Sequence, residues 1–123
     1  MDARQFAERM ALIRARFIGR LPGKIEATDA ALPMLAGDGK TAAEAVATIY
    51  RRFHELCGIG PTIGFNETGK VARTLVDGVL VKPFKAQRGL SAEELAKLKR
   101  GLESFRAAAL NEMQSTNQSG AVL

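Results

Sequence analysis

The residue of this chain best suited to carry a reactive group is His54, its single histidine. A neutral imidazole offers a nucleophilic nitrogen at physiological pH, and its second nitrogen can be held by a hydrogen bond. Gly58 follows one helical turn later, where glycine costs about 1 kcal/mol of helix stability relative to alanine but lets another protein's backbone approach the ring. The pair is compatible with a carrier site on a helix surface. The alternative is that His54 is an ordinary structural or surface histidine.

Three further residues share the face of the predicted helix that carries His54. Tyr50, Arg51 and Cys57 lie three or four positions away, which places the imidazole at the edge of an apolar stripe, accessible to solvent yet held by packing. Cys57 is interpreted as a small buried apolar side chain, with a reactive thiol as the alternative. Tyr50 is expected to lie in the core or on a docking surface.

The sequence around His54 also has a family resemblance. The stretch HELCG at residues 54–58, followed by Gly64-Phe65, resembles the H-x-L-x-G…G signature of histidine-phosphotransfer (HPt) domains. The segment TIGFNETGKVARTLVDGVL is similar to the corresponding helix in the phosphotransfer domain of chemotaxis-type histidine kinases. The resemblance covers residues 41–81 well and the flanking helices only by their pattern.

This resemblance implies a phosphocarrier rather than an enzyme. His54 would accept a phosphoryl group from the phospho-aspartate of one receiver domain and donate it to the aspartate of another. The expected partners are a hybrid histidine kinase and the receiver domain of a response regulator, docked on a surface that includes Tyr50 and Gly64. In the family the receiver supplies the acidic pocket, its Mg²⁺ and a lysine, so no metal, cofactor or ATP-binding domain is expected in this chain.

The chain departs from the family pattern at three positions. Cys57 stands where the family often has a lysine that steadies the phosphoryl group. Val76 stands where chemotaxis-type domains have a glutamate that binds the imidazole, and Arg73 where they have a second histidine. Arg51, Lys70 or Arg73 could supply the missing positive charge. The alternative is that all three are solvated surface side chains, each of little energetic value.

Helical periodicity runs through the whole chain, whereas strand signals are nearly absent. The first helix has an apolar stripe at residues 6, 10, 13 and 17, and Gly19 and Pro22 are expected to interrupt it. A second helical pattern reaches Leu35, and residues 37–39 are expected to form a loop. The predicted core positions of the later helices are Val46, Ile49, Phe53, Leu56, Ala72, Leu75, Val79, Leu95, Leu98, Leu102, Phe105 and Ala109.

Capping patterns set the boundaries of the later helices. Thr41 to Glu44 and Ser91 to Glu94 form capping boxes, and Asn66 is a good N-cap for the helix between them. The helix carrying His54 is expected to stop by Gly60-Pro61, and the next to end at Lys82-Pro83. Residues 82–90 then form a basic loop. Leu90 and Leu95 are spaced as a hydrophobic staple.

These elements predict an all-α fold, an antiparallel four-helix bundle with an additional N-terminal helix. The bundle is expected to occupy residues 1–113, followed by a flexible tail at residues 114–123. No segment approaches the roughly 20 apolar residues of a membrane span, and the single cysteine cannot form an internal disulfide. A monomeric cytoplasmic protein without a membrane or nucleic-acid partner is the expectation.

Two alternatives to phosphotransfer remain open. The net charge of +5 and the glycine-containing turn within residues 59–76 are compatible with a helical DNA-binding module that reads bases through Asn66, Thr68 and Lys70. The basic residues are nevertheless dispersed rather than massed in one run. The departures at Cys57 and Val76 favour instead an HPt-like adaptor that docks on receivers or kinases without carrying phosphate.

Overall fold

The computed structural model describes the backbone of residues 2–122 and the side chains of residues 2–115. Within that range the chain is helical and contains no strand, only an isolated bridge between Ala36 and Leu90. The predicted all-α class is therefore confirmed. None of the described helices is both long enough and apolar enough to cross a bilayer.

Four helical runs make up the fold. They are α1 (Ala3–Leu35), α2 (Lys40–Thr62), a composite run, and α5 (Ala92–Val122). The composite run consists of α3 (Asn66–Leu75), a π-helical segment (Val76–Leu80) and α4 (Val81–Lys85), which follow one another without a break. α2 packs against α3, α3 against α5, and α1 against both α2 and α5. The core positions predicted for α2, α3 and the π-helical segment are all buried, and in α5 only Leu95 is not fully so.

α1 corrects the prediction of a separate N-terminal helix, because it continues through both Gly19 and Pro22. A proline inside a helix costs about 3 kcal/mol and removes one backbone hydrogen bond. Phe17, Leu21 and Leu35 nevertheless lie on one buried face that extends past the proline. Burial of each such side chain contributes about 1.5–3 kcal/mol, which is enough to hold the helix together across Pro22.

Two of the predicted N-caps are wrong. α2 begins at Lys40, and its N-cap is Gly39 with φ 150°, so the Thr41 side chain has no capping role. α3 begins at Asn66 itself, after Phe65 as N-cap. The Ser91–Glu94 capping box is confirmed, because the Glu94 backbone N–H donates to Ser91 Oγ at 3.1 Å and the Ser91 N–H donates to Glu94 Oε1 at 2.8 Å.

A distant side chain caps α3 instead of Asn66. Glu112 of α5 accepts hydrogen bonds at Oε1 from the Thr68 backbone N–H and hydroxyl, both at 2.6 Å, and at Oε2 from the Glu67 N–H at 3.2 Å. A carboxylate at this position also interacts favourably with the positive end of the helix dipole. The cap thus ties the start of α3 to α5, 44 residues away from Thr68 in sequence.

The composite run corrects the prediction that the helix ends at Lys82-Pro83. Pro83 is buried inside α4, which continues to Lys85. In a regular α-helix the proline ring would collide with the carbonyl of Val79, four residues earlier. The helix widens just before this point, and the Val81 backbone N–H donates to Val76 O, five residues back. We attribute the continuation of the helix through Pro83 to this π-helical turn.

The turn between α2 and α3 depends on two glycines that let the helices approach closely. A Cβ atom on Gly69 would lie 2.6 Å from Pro61 Cδ, and one on Gly60 would lie 3.0 Å from the Phe65 carbonyl oxygen. Side chains at either position would separate the helices. The helix carrying His54 was expected to stop by Gly60-Pro61, but α2 continues to Thr62.

The two ends of the chain differ from the sequence prediction in different ways. In the apolar stripe of α1, Phe6 and Ile13 are exposed, Met10 is partly buried against the core, and Phe17 is the first fully buried member. At the other end, α5 continues to Val122 through residues predicted to form a flexible tail. The side chains beyond Ser115 and the whole of Leu123 lie outside the described residues, so the flexibility of 114–123 stays a prediction.

Candidate functional site

The His54 side chain is exposed in the middle of α2. Its helix is anchored from beneath by Phe53 and Leu56, each 1% exposed. Phe53 packs edge-on against Phe105 of α5, with ring centroids 5.0 Å apart. The imidazole is therefore accessible to a second protein, while the backbone that carries it is fixed to the core of the molecule.

The imidazole rests at the end of a row of aromatic rings. The His54 and Tyr50 rings are stacked with centroids 5.8 Å apart and an interplanar angle of 29°. Tyr50 is in turn stacked on Phe84 of α4, at 3.9 Å and 7°. The Arg51 guanidinium carbon lies 5.9 Å from the Phe84 centroid, within the range of a cation–π interaction.

Phe84 is a site residue that the sequence analysis missed. It had been placed within a basic loop at residues 82–90, and no periodic pattern linked it to α2. The segment after α4 is not a freely solvated loop: the Leu90 backbone N–H donates to Leu35 O at 2.8 Å, and the Arg88 N–H donates to Pro83 O at 3.1 Å. One signal was available, because an aromatic residue beside Pro83 marked this segment as more than a polar connection.

An ion pair fixes the same segment to the start of α5. Arg88 binds both carboxylate oxygens of Glu94, at 2.7 and 3.0 Å. The hydrogen bond from Arg88 is the largest cause of a Glu94 pKa lowered to about 2, and the Ser91 hydrogen bonds act in the same direction. The guanidinium pKa of Arg88 is raised by the same hydrogen bond. The backbone that follows Phe84 is thereby held in place.

Gly58 leaves the surface next to His54 bare. It is exposed, and a Cβ atom added to it would meet nothing within 4 Å. No contact within the part of the molecule that the structure describes therefore requires glycine at this position.

Gly64, in contrast, has a conformational reason. Its φ of 91° lies in the left-handed region that favours glycine, and it allows the turn between α2 and α3. It lies ten residues beyond His54, on the order of 15 Å along the helix. The structure does not bring Gly64 to the imidazole.

Cys57 has the structural role rather than the reactive one. Its side chain is 6% exposed, and its thiol donates to the backbone carbonyl of His54 at 3.0 Å. Val76, at the position of the family's glutamate, is 3% exposed within the core. Neither residue presents a charged or hydrogen-bonding group to the imidazole.

The three candidate cations are all exposed, but they are placed differently. Arg51 is on α2 beside the ring stack, whereas Lys70 and Arg73 are on α3. Among the described side chains, no hydrogen bond or ion pair joins any of the three to the His54 ring. Residues 2–115 also contain no cluster of three or more His, Cys, Asp or Glu side chains that could hold a metal ion.

Comparison with known proteins assigns the chain to no family. No family model matches it, and no significant match was found among curated proteins or solved structures.

Proposed function

We propose that the protein is a histidine phosphotransfer protein that shuttles a phosphoryl group through His54 between the aspartates of receiver domains. The observation that carries the proposal is the exposure of the single histidine in the middle of a rigidly anchored helix, next to a glycine that no internal contact requires. The arrangement proposed for the four helical runs is an antiparallel bundle.

The proposed reaction needs only a nucleophile from this chain. The lone pair of the neutral imidazole nitrogen attacks phosphorus, so that an N–P bond forms as the P–O bond to the aspartate breaks. The carboxylate of the receiver leaves with the electron pair. Phosphoryl transfer relies on positioning and on stabilisation of spread negative charge, and the proposal assigns the stabilising Mg²⁺ and lysine to the receiver.

Of the three candidate cations, Arg51 is the one on the same helix as His54, one turn before it. It is exposed and lies against Phe84. We assign it the supporting role that the family gives to the lysine at the position of Cys57. Lys70 and Arg73 are secondary candidates, because they stand on the neighbouring helix. Under this proposal the protein acts as a cytoplasmic monomer toward a hybrid kinase and a response regulator.

The test is a transfer assay with a phosphorylated receiver domain and the full chain. We expect label to move onto the protein as an acid-labile adduct and to be absent from a His54→Gln variant, because the amide of glutamine is not a nucleophile. A Cys57→Ser variant is the control for labelling of the thiol and should still accept phosphate. An acid-stable label, or one that survives His54→Gln, would overturn the assignment.

The second candidate is an adaptor that docks on receivers without carrying phosphate. It is favoured by one observation: among the described residues, the imidazole has no hydrogen-bond donor, acceptor or ion-pair partner that would activate it. The same variant separates the two functions, because an adaptor binds its receiver equally well with His54→Gln and accepts no label in either form.

The DNA-binding alternative loses one of its three proposed contacts. Thr68 is completely buried and bound to Glu112, so its side chain cannot reach a base. Asn66 and Lys70 remain exposed. We retain the proposal of a partner that is a protein rather than a nucleic acid.

A further inference from the structure

Among the described side chains, none makes a hydrogen bond or an ion pair with the His54 imidazole, and its aromatic contact is with Tyr50. Cys57 binds the backbone carbonyl of His54 and leaves the ring untouched. The stack with Tyr50, at a centroid distance of 5.8 Å and an interplanar angle of 29°, restricts rotation of the imidazole on that side. Any preferred direction of the reactive nitrogen in the free protein therefore depends on where the Tyr50 ring lies.

The position of Tyr50 depends in turn on a residue from another element. Its ring is nearly parallel to Phe84, at 7°, and the centroids are only 3.9 Å apart, a much closer contact than the one with His54. Phe84 is half-buried. The residue before it, Pro83, is buried, and the segment after it is fixed to α5 by the ion pair between Arg88 and Glu94. In this row of rings Phe84 is the most firmly fixed, and His54 is the exposed ring at the opposite end.

We propose that Phe84 is a positioning residue for His54, acting through the ring of Tyr50. It presents one side of Tyr50 to the imidazole and thereby narrows the orientations in which the nitrogen meets an incoming aspartyl phosphate. The effect on transfer rests on the proposed function, whereas the ring geometry does not. A reaction between oriented groups loses rate when the nucleophile samples unproductive directions.

The geometry can be tested on the unmodified protein by NMR, because the chain contains one histidine and one tyrosine. Cross-relaxation between the ring protons of Tyr50 and His54 is expected, and its assignment is unambiguous. The absence of that signal in the wild-type protein would overturn the proposal without recourse to any variant.

The variants compare the same substitution at two phenylalanines. Phe84→Leu removes the aromatic face but keeps apolar volume, and Phe6→Leu makes the identical change at a side chain 57% exposed near the start of α1. We expect Phe84→Leu to shift the His54 ring resonances and weaken their cross-relaxation with Tyr50. Phe84→Tyr should restore both signals, and Phe6→Leu should change neither.

The consequence for transfer is measured as a ratio of two rates on the full chain. One rate is phosphorylation by a phosphorylated receiver, and the other is phosphorylation by phosphoramidate, a small donor that can approach the ring from many directions. We expect Phe84→Leu to lower the receiver-to-phosphoramidate ratio about three- to tenfold, a size typical of a lost aromatic pair. Phe84→Tyr should return the ratio to the wild-type value.

The two proposals fail in distinguishable ways. If His54 accepts phosphate from neither donor, the proposed function fails, and the NMR signals still decide whether Phe84 orients the ring. If transfer proceeds but Phe84→Leu leaves both the His54 resonances and the rate ratio unchanged in a folded protein, the positioning role is overturned and the phosphotransfer function stands.

Discussion

At the scale of single residues, the His54 imidazole is stacked on Tyr50, while the helix surface at Gly58 is open to another molecule. Tyr50 covers part of the imidazole, while Gly58 leaves the following turn of the helix without a side chain. A reacting aspartate must come within about 3–3.5 Å of the nitrogen, so the backbone that carries it has to pass close to α2. Steric access at Gly58 is therefore expected to decide the rate of transfer.

The variant Gly58→Leu separates access from folding. A Cβ at this position has open space. Leucine is a better helix former than glycine by about 0.8 kcal/mol, so the variant is expected to be folded and slightly more stable. Transfer from a phosphorylated receiver should fall by about tenfold or more, because the added side chain crowds the docking partner.

The matched control is Gly19→Leu, which places the same side chain on another exposed helical glycine with nothing within 4 Å of its Cβ. It should gain a similar amount of stability in thermal unfolding and keep the wild-type transfer rate. Equal transfer rates for Gly58→Leu and Gly19→Leu would remove the steric explanation of Gly58.

At the scale of elements, side-chain contacts between elements hold the helix ends near the site. Glu112 caps α3, and Arg88 joins the segment after α4 to the first turn of α5. The Arg88–Glu94 pair is bidentate, and the Glu94 carboxylate is only 18% exposed. A pair of this geometry is stabilising where an ordinary surface pair contributes little.

The pH dependence of stability is expected to show this pair. The Glu94 carboxyl has a pKa of about 2 in the folded protein against an ordinary value of 4.5. Because the folded pKa is depressed, the ion pair contributes its full stabilisation above about pH 4.5, and the contribution is lost as the pH falls toward 2. Chemical unfolding of Glu94→Gln should therefore give a free energy that varies less with pH across this window than that of the wild type.

The neighbouring Glu93→Gln variant is the control for this prediction. Its carboxylate is 81% exposed and lies 3.6 Å from Lys97 in a pair between adjacent turns. Removal of this charge should leave the wild-type slope between pH 4.5 and 2 essentially unchanged. Identical slopes for the wild type and Glu94→Gln would mean that the Arg88 pair contributes nothing in solution.

At the scale of the whole molecule, α1 is longer than the core that it covers. The Arg14 guanidinium donates to the Ile63 carbonyl at 2.9 Å, and this contact marks the level of the turn between α2 and α3. About one helical turn after Arg14, Phe17 packs against Phe65, with ring centroids 4.9 Å apart. Of the three members of the apolar stripe before Arg14, Phe6 and Ile13 are exposed and Met10 is partly buried against the core.

Residues 3–13 of α1, the overhang, are mostly exposed. The same substitution is therefore expected to change the free energy of unfolding by different amounts at two positions of the stripe. Phe17→Ala removes a ring that is 7% exposed and should lower the free energy of unfolding by about 3–5 kcal/mol. Phe6→Ala removes a ring that is 57% exposed and should change it by no more than about 0.5 kcal/mol. Denaturant unfolding of both variants measures the difference, and a large loss for Phe6→Ala would show that the overhang is covered in solution.

The helical class, most of the core and the candidate carrier residue could all be predicted from the sequence. Apolar residues at helical spacing in α2, α3 and α5 had to be buried together, and periodicity locates them without knowledge of neighbours. The Ser91–Glu94 capping box was also readable, because both of its hydrogen bonds join residues three positions apart. His54 and Gly58 were proposed as site residues from residue chemistry and from the resemblance of their motif.

Packing between helices sets which breaks the helices tolerate and which ring stacks on the imidazole, and neither can be predicted from one segment of the sequence. Packing of Phe17, Leu21 and Leu35 overrides Pro22, and a π-helical turn carries the chain through Pro83. The stack of Phe84 on Tyr50 joins residues that are 34 positions apart in sequence. Such contacts depend on where separate helices cross, and local propensity contains no information about that crossing.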